Sequence, residues 1–310
     1  MPILRDAFLA LSTNGLVRDF VVNFPLSRRV SRRFVAGEKL EEAIRVVQKL
    51  NEQNIRVTFD QLGESVTNAS EARAAKEGYL RALEAIAATN LPTQVSLKLT
   101  QMGLDLSPDM CLDNVRQIIA KAKQIGTMVT IDMEDSKYTQ ATLNIFKTLR
   151  EEFDNVGIVI QAYLYRSEED VKALIAMGAT VRLCKGAYKE PEQVAFPQKK
   201  DVDANYLKLA QMFLQPNGRS NDAYLQLATH DEKIIDWAKQ YTTEKKIDRT
   251  RFEFQMLYGI RSDLQRQLAA DGYSMRVYVP YGTHWYPYFM RRLAERPANA
   301  LFLVSNLFKS

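Results

Sequence analysis

The chain has 310 residues, 46% hydrophobic and 25% charged, with a formal net charge of +5. Those values suit an ordinary soluble protein with room for one large domain or two smaller ones. No run of about 18 apolar residues offers a membrane span. No zinc-finger spacing, RNA-binding signature or recognition-helix pattern marks a nucleic-acid partner.

Residues 1–54 read as a helical section packed on the rest of the chain. Arg5 and Asp6 interrupt any apolar region near the start, and no small-residue cleavage pattern comes after them, so a secretory signal is not expected. Arg28, Arg29, Arg32 and Arg33 form the one dense basic cluster, which could touch phosphates or anionic lipid, although such a cluster near a terminus is more often plain surface. Two cysteines, Cys111 and Cys184, make no disulfide framework and fit a reducing cytoplasm. Cys184 lies in an apolar run, where a small buried hydrophobe is expected.

From residue 55 one pattern repeats: a short β-branched run, a polar loop, then a longer helical run. The strand candidates are IRVTF (55–59), QVSLKL (94–99), MVTIDM (128–133), VGIVIQAY (156–163), TVRLCKGAY (180–188), LQLATH (225–230), FEFQML (252–257) and RVYVPY (276–281). Helical periodicity fills the intervals, as in 71–87 and 115–125. Ser107-Pro108-Asp109 reads as an N-cap followed by a first-turn proline. Apolar strands alternating with helices suit a parallel sheet covered by helices. An open doubly wound sheet is the rival, but eight even units without a switch point favour a closed (β/α)8 TIM-type barrel over 55–310. The N-terminal helices are then additions, and the whole is one structural domain.

After the last strand, Tyr288, Arg291, Arg292 and Glu295 follow the i, i+3, i+4, i+7 spacing of one helix face, with Phe289, Met290, Leu293 and Ala294 opposite. A solvated face with short-range ion pairs would account for that stripe alone. A barrel changes its meaning, because barrel active sites sit at the C-terminal ends of the strands. Those ends carry Lys98, Asp132, Glu134, Gln161, Arg182, Lys185, Thr229, His230, Gln255 and Tyr278. Lys98 and Asp132 interrupt apolar runs on neighbouring strands, where they could form a buried ion pair.

Several chemistries lack their residues. His230 and His284 come from separate units, with no HxH or HxxxH spacing for a metal. There is no GxSxG elbow, and the 13 glycines never form GxG, so no dinucleotide fingerprint is present. Schiff-base chemistry at Lys98 or Lys185, in a lyase or isomerase, stays open. So does a lipid- or protein-binding module that uses the basic N-terminus and the apolar tail ALFLVSNLF, although that tail reads better as a cover for the barrel. The remaining inventory of Arg, Lys and Tyr with a few acids suits a small anionic substrate and an anionic cofactor. Gly186, between Lys185 and Ala187, would let backbone approach a ligand closely.

YVPYG…YFMRRLAERPAN resembles the C-terminal signature of the flavin-dependent proline dehydrogenases. SLKLTQMG, TIDMEDS, VRLCKGAYKE, LATHD and EFQMLYGI extend the resemblance in the family's order, over roughly residues 55–308. The overall length is similar to that of the monofunctional members. The resemblance implies a (β/α)8 barrel, FAD bound without covalent attachment, and oxidation of L-proline to Δ1-pyrroline-5-carboxylate as the first step of proline catabolism. It implies electron transfer to a quinone, hence a cytoplasmic enzyme with peripheral contact at the inner face of the membrane. It also implies catalytic roles for Asp132 and Arg182. Arg291, Arg292 and Lys98 would recognise the carboxylate, Tyr278 and Tyr288 would line the substrate pocket, and Leu257 would pack on the proline ring. Glu295 would pair with the helix arginines or Lys98. Met133, Gln161, Arg182, Lys185, Gly186, Ala187, Thr229 and His230 match the flavin contacts.

Overall fold

The computed structural model describes Val21 and residues 31–215 and 223–295. Eight parallel strands succeed one another round a closed barrel. They are β1 Arg56–Gln61, β2 Thr93–Leu97, β3 Val129–Ile131, β4 Val156–Gln161, β5 Thr180–Cys184, β6 Tyr224–Ala228, β7 Phe252–Leu257 and β8 Met275–Tyr281. β8 pairs with β1 from Arg56↔Arg276 to Gln61↔Tyr281, which closes the ring and rules out the doubly wound alternative.

The α-helices are α1 Leu40–Asn51, α2 Ala69–Thr89, α3 Pro108–Gln124, α4 Thr139–Glu152, α5 Ser167–Ala176, α6 Lys199–Phe213, α7 Glu232–Glu244, α8 Ser262–Ala270 and α9 Trp285–Glu295, with short 3-10 helices at Ser136–Tyr138 and Arg249–Arg251. Ser107 does cap α3, accepting from the Met110 N–H, with Pro108 in the first turn. α1 lies against both β1 and β8, the outer position that a helix after β8 would otherwise take. α9 instead crosses the C-terminal mouth. Trp285, Tyr286, Phe289, Met290 and Leu293 bury it against Phe34, Val35 and Leu62. Tyr288 on its other side is buried as well, so the stripe seen in the sequence is not a solvated face.

Strand alternation has an unexpected sense. Outward residues such as Val57, Phe59, Val95, Leu97, Val129 and Ile131 form the core under the helices. That burial, at about 25 cal/mol per Å² of apolar surface, is the main stabilising term. The inward residues are largely polar: Asp60, Ser96, Lys98, Asp132, Arg182, Glu253, Gln255, Arg276 and Tyr278 bond to one another across the lumen. Barrel interiors are usually filled by branched aliphatics. The apolar character that suggested a parallel sheet thus comes mainly from the outward faces, with Val159 and Leu257 among the apolar residues that line the inside. Among the described residues no helix is long and apolar enough to cross a membrane.

Candidate active site

Several strands end earlier than their candidate runs suggest. β2 stops at Leu97, β3 at Ile131, β5 at Cys184 and β6 at Ala228. Lys98, Asp132, Lys185 and Thr229 therefore stand just past the ladder, at the C-terminal mouth. The Asp132 N–H still donates to Leu97 O at 2.8 Å, which carries the β2–β3 register one step further and holds the two side chains together.

A cavity of about 580 Å³ opens there, a size typical of small-molecule sites. Lys98, Leu257, Tyr278, Tyr288, Arg291 and Arg292 line it from β2, β7, β8 and α9. Met133, Gln161, Lys185, Gly186, Ala187, Thr229 and His230 line it from the exits of β3 to β6, and Asp132 and Arg182 line it too. The Glu295 side chain lies outside the described residues. Cys184 is half-buried and lines the cavity, contrary to the expectation of a buried hydrophobe, because β5 ends at this residue. Cys111 is the buried one.

Charge is organised in two groups. In the first, Lys98 Nζ lies 3.3 Å from Asp60 Oδ1 and 3.2 Å from Asp132 Oδ2. Arg182 Nη1 donates to Asp132 Oδ1 at 2.8 Å, Ser96 Oγ donates to the same oxygen at 2.6 Å, and Tyr278 OH donates to Oδ2 at 2.8 Å. Burial alone would raise the Asp132 carboxyl, but Lys98 and Arg182 outweigh it and hold it below the usual range. For Asp60 burial wins over Lys98, and its carboxyl is raised. Burial would lower Lys98, yet Asp60 and Asp132 drive it well above the normal lysine range. A lysine held as ammonium is no nucleophile. The second group is Arg291 and Glu64, a forked pair at 3.1 and 2.5 Å. Arg291 offsets the burial of Glu64 and keeps its carboxyl low.

Around the rim, Lys185 bridges Asp231 at 2.7 Å and Asp203 at 2.5 Å. His230 Nε2 accepts from the Leu257 N–H at 3.0 Å, which places any single imidazole proton on Nδ1. Gln161 donates to Glu134 O at 2.8 Å and accepts from the Ala187 N–H at 3.3 Å. Gly186 has φ +123°, and a Cβ there would lie 2.5 Å from the Tyr163 ring, so only glycine fits. Among the described residues no group of three potential ligands could hold a metal ion.

Would this lining suit a flavin? The wall combines apolar Met133, Val159, Ala187 and Met256 with cationic Arg182 and Lys185. Arg182 Nη2 is buried without a protein acceptor among the described residues, an arrangement that calls for an acceptor from elsewhere. A broad, partly anionic ring system fits those residues.

Asp60, Ser96 and Glu64 do not stand out in the sequence. A signal for the first two exists: VTFD (57–60), VSLK (95–98) and VTID (129–132) share one pattern, an inward hydroxyl followed two residues later by an inward charge. Glu64 sits in the loop after β1, and nothing local marks it.

The family model described as proline dehydrogenase matches residues 43–305. Proline dehydrogenase 1 of Bacillus subtilis strain 168 is 45% identical over 307 residues, covering 99% of this chain and 100% of that protein. Proline dehydrogenase of Deinococcus radiodurans is 44% identical over 285 residues, 90% of each chain. A crystal structure of proline utilization A from Bdellovibrio bacteriovorus, inactivated by N-propargylglycine, superposes with a TM-score of 0.80 at 26% identity. That match covers 94% of this chain and 36% of the larger protein.

Proposed function

The chain belongs to the proline dehydrogenase family, and from that premise we propose that it oxidises L-proline to Δ1-pyrroline-5-carboxylate with noncovalently held FAD, passing electrons to a quinone. The observation that carries this reading is the cavity at the barrel mouth. Part of its lining is basic and aromatic, part mixed apolar and cationic, and the Asp132–Arg182 ion pair lines it with both.

Arg291 and Arg292 take the substrate carboxylate, for which a planar fork is better suited than a point charge. Lys98 adds charge nearby, Leu257 packs on the pyrrolidine ring, and Tyr278 and Tyr288 shape the pocket. A bound flavin would supply the two-electron acceptor for the hydride leaving C5. Met133, Gln161, Lys185, Gly186, Ala187, Thr229 and His230 would hold it, and Arg182 would place positive charge where negative charge develops. Asp132 already accepts from Lys98, Arg182, Ser96 and Tyr278. It therefore works by holding those groups in place and is poorly suited to take the proton of the substrate amine. Glu64 supplies for Arg291 the carboxylate partner that the resemblance implied for Glu295, and so makes a cation beside Arg292 tolerable. The quinone role goes with a cytoplasmic enzyme in peripheral contact with the inner face of the membrane.

The test joins colour and kinetics. Denaturing the purified protein should release a yellow chromophore into solution; colour left on the precipitated chain would exclude noncovalent binding. Arg291→Lys and Arg292→Lys keep charge but lose the fork. Loss of a charge-assisted hydrogen bond worth roughly 1.5–3 kcal/mol lowers kcat/KM for proline by about one to two orders of magnitude. Pyrrolidine, which lacks the carboxylate, should be turned over about as poorly by the variants as by the parent. Equal losses for both substrates would overturn the clamp.

A further inference from the structure

We propose that Glu253 and Arg276, an ion pair buried one layer beneath the cavity, are positioning residues that set the direction of the Gln255 amide and thereby hold Arg182 against Asp132. The proposal rests on the reading of Arg182 as a residue of the reacting centre. Glu253 is 1% exposed and Arg276 4%. The two-residue strand period stacks Glu253 under Gln255 on β7 and Arg276 under Tyr278 on β8.

The Glu253 carboxylate is anchored from the next strand, where Arg276 stands opposite Gln255 in register. Arg276 donates to it from Nε at 2.7 Å and from Nη2 at 3.2 Å, while Arg276 Nη1 donates to Val57 O on β1 at 2.9 Å. Above, Glu253 Oε1 accepts from Gln255 Nε2 at 2.7 Å. Gln255 Oε1 then accepts from Arg182 Nε at 2.7 Å.

This order admits one arrangement. A carboxylate can only accept, so Gln255 must turn its NH2 downward and its oxygen upward. A flipped amide would set NH2 against the Arg182 N–H and oxygen against oxygen, two repulsive contacts. With Nε held by Gln255, and Nη1 held by Asp132 and Ser96, the guanidinium plane is determined at two corners. Its third corner, Nη2, is left without a protein acceptor among the described residues. The function of the lower pair is thus directional, since a neutral amide at 253 could offer NH2 upward and let Gln255 invert.

Three proteins test this: Glu253→Gln, the swap Glu253→Gln/Gln255→Glu, and the parent. The swap moves one carboxylate two residues up the strand, keeps the total charge, and restores a donor-to-acceptor order ending on Arg182. The activity-independent readout is the Arg182 Nε–H resonance, assigned with Arg182→Lys, and its protection from solvent exchange. Glu253→Gln should lose that protection and lower kcat for proline about tenfold, with KM within about twofold, because the carboxylate is bound elsewhere. The swap should regain protection and bring kcat to within about threefold of the parent. A pair that serves only stability predicts the opposite, a swap at least as impaired as the single variant. If Glu253→Gln does not fold, Glu253→Gln/Arg276→Met removes both charges and takes its place, with the same expected loss of protection. Protection unchanged in either protein overturns the proposal. A parent that does not oxidise proline overturns the functional reading, while the resonance still decides the positioning role.

Discussion

Replacing Lys98 with methionine should cost the fold about 3–5 kcal/mol, the usual penalty for stranding a buried charge. Methionine keeps most of the side-chain volume and removes the ammonium that lies 3.2 Å from Asp132 and 3.3 Å from Asp60. The two carboxylates are not equally dependent on it. Asp132 retains Arg182 at 2.8 Å, whereas Asp60 is left with hydroxyl contacts such as Tyr79 OH at 3.4 Å. Asp60 is also the carboxyl that burial already raises, so it takes up the proton when Lys98 is gone. The sign comes from linkage: a folded-state pKa above the unfolded value of about 3.9 means stability is kept in acid and lost as pH rises through the folded value. The deficit of Lys98→Met should therefore be smallest near pH 4 and grow toward neutrality. At pH 7, adding Asp60→Asn should restore most of the loss, since the remaining Asp132–Arg182 pair is balanced. Adding Asp132→Asn should not, because Arg182 then loses its partner. Denaturant unfolding of the parent, the singles and the doubles gives the coupling energy directly, expected to be at least about 2 kcal/mol between Lys98 and Asp60. Strictly additive losses, or a Lys98→Met protein within about 0.5 kcal/mol of the parent, would refute the reasoning.

Gly186→Ala places a methyl 2.5 Å from the Tyr163 ring at φ +123°; it should cost about 2 kcal/mol or more and weaken flavin binding, so an unchanged melting temperature and flavin affinity would contradict the close-approach role. Burial pushes the Glu134 carboxyl up to about 7. The folded protein then keeps a proton that the unfolded chain releases near pH 4.3, so stability should fall between about pH 4.5 and 7 with a slope of up to about 1.4 kcal/mol per unit. Glu134→Gln should flatten that part of the stability profile, and an unaltered slope would assign it to other groups.

The barrel was legible because each strand carries an apolar face that must be covered, and because helical periodicity alternates with those runs. The mouth residues were legible for a related reason: Lys98 and Asp132 interrupt apolar runs, and a charge there needs a partner. Strand ends were less visible. The strand candidate for β5 extends to residue 188, but the strand ends at Cys184, since composition does not report where a ladder stops pairing. The polar lumen was hidden by the habit of reading a parallel strand as apolar throughout. Glu64 could not be found at all, because its partner Arg291 is 227 residues away and only the fold brings them together.

The seam between β1 and β8 has a consequence for how this protein comes to be active. Residues 56–61 are among the first barrel residues made, and 275–281 among the last. Asp60 comes from the early strand and Tyr278 from the late one, while Arg276 ties the two by its bond to Val57 O. A chain emerging from synthesis can build most of its outer shell before the ring shuts, but it cannot assemble the charge cluster piecemeal. Until closure, Lys98, Asp60 and Asp132 face water and need no mutual neutralisation. Competence should consequently arrive in one late step, and fragments that stop short of β8 should have neither partial activity nor a partial site.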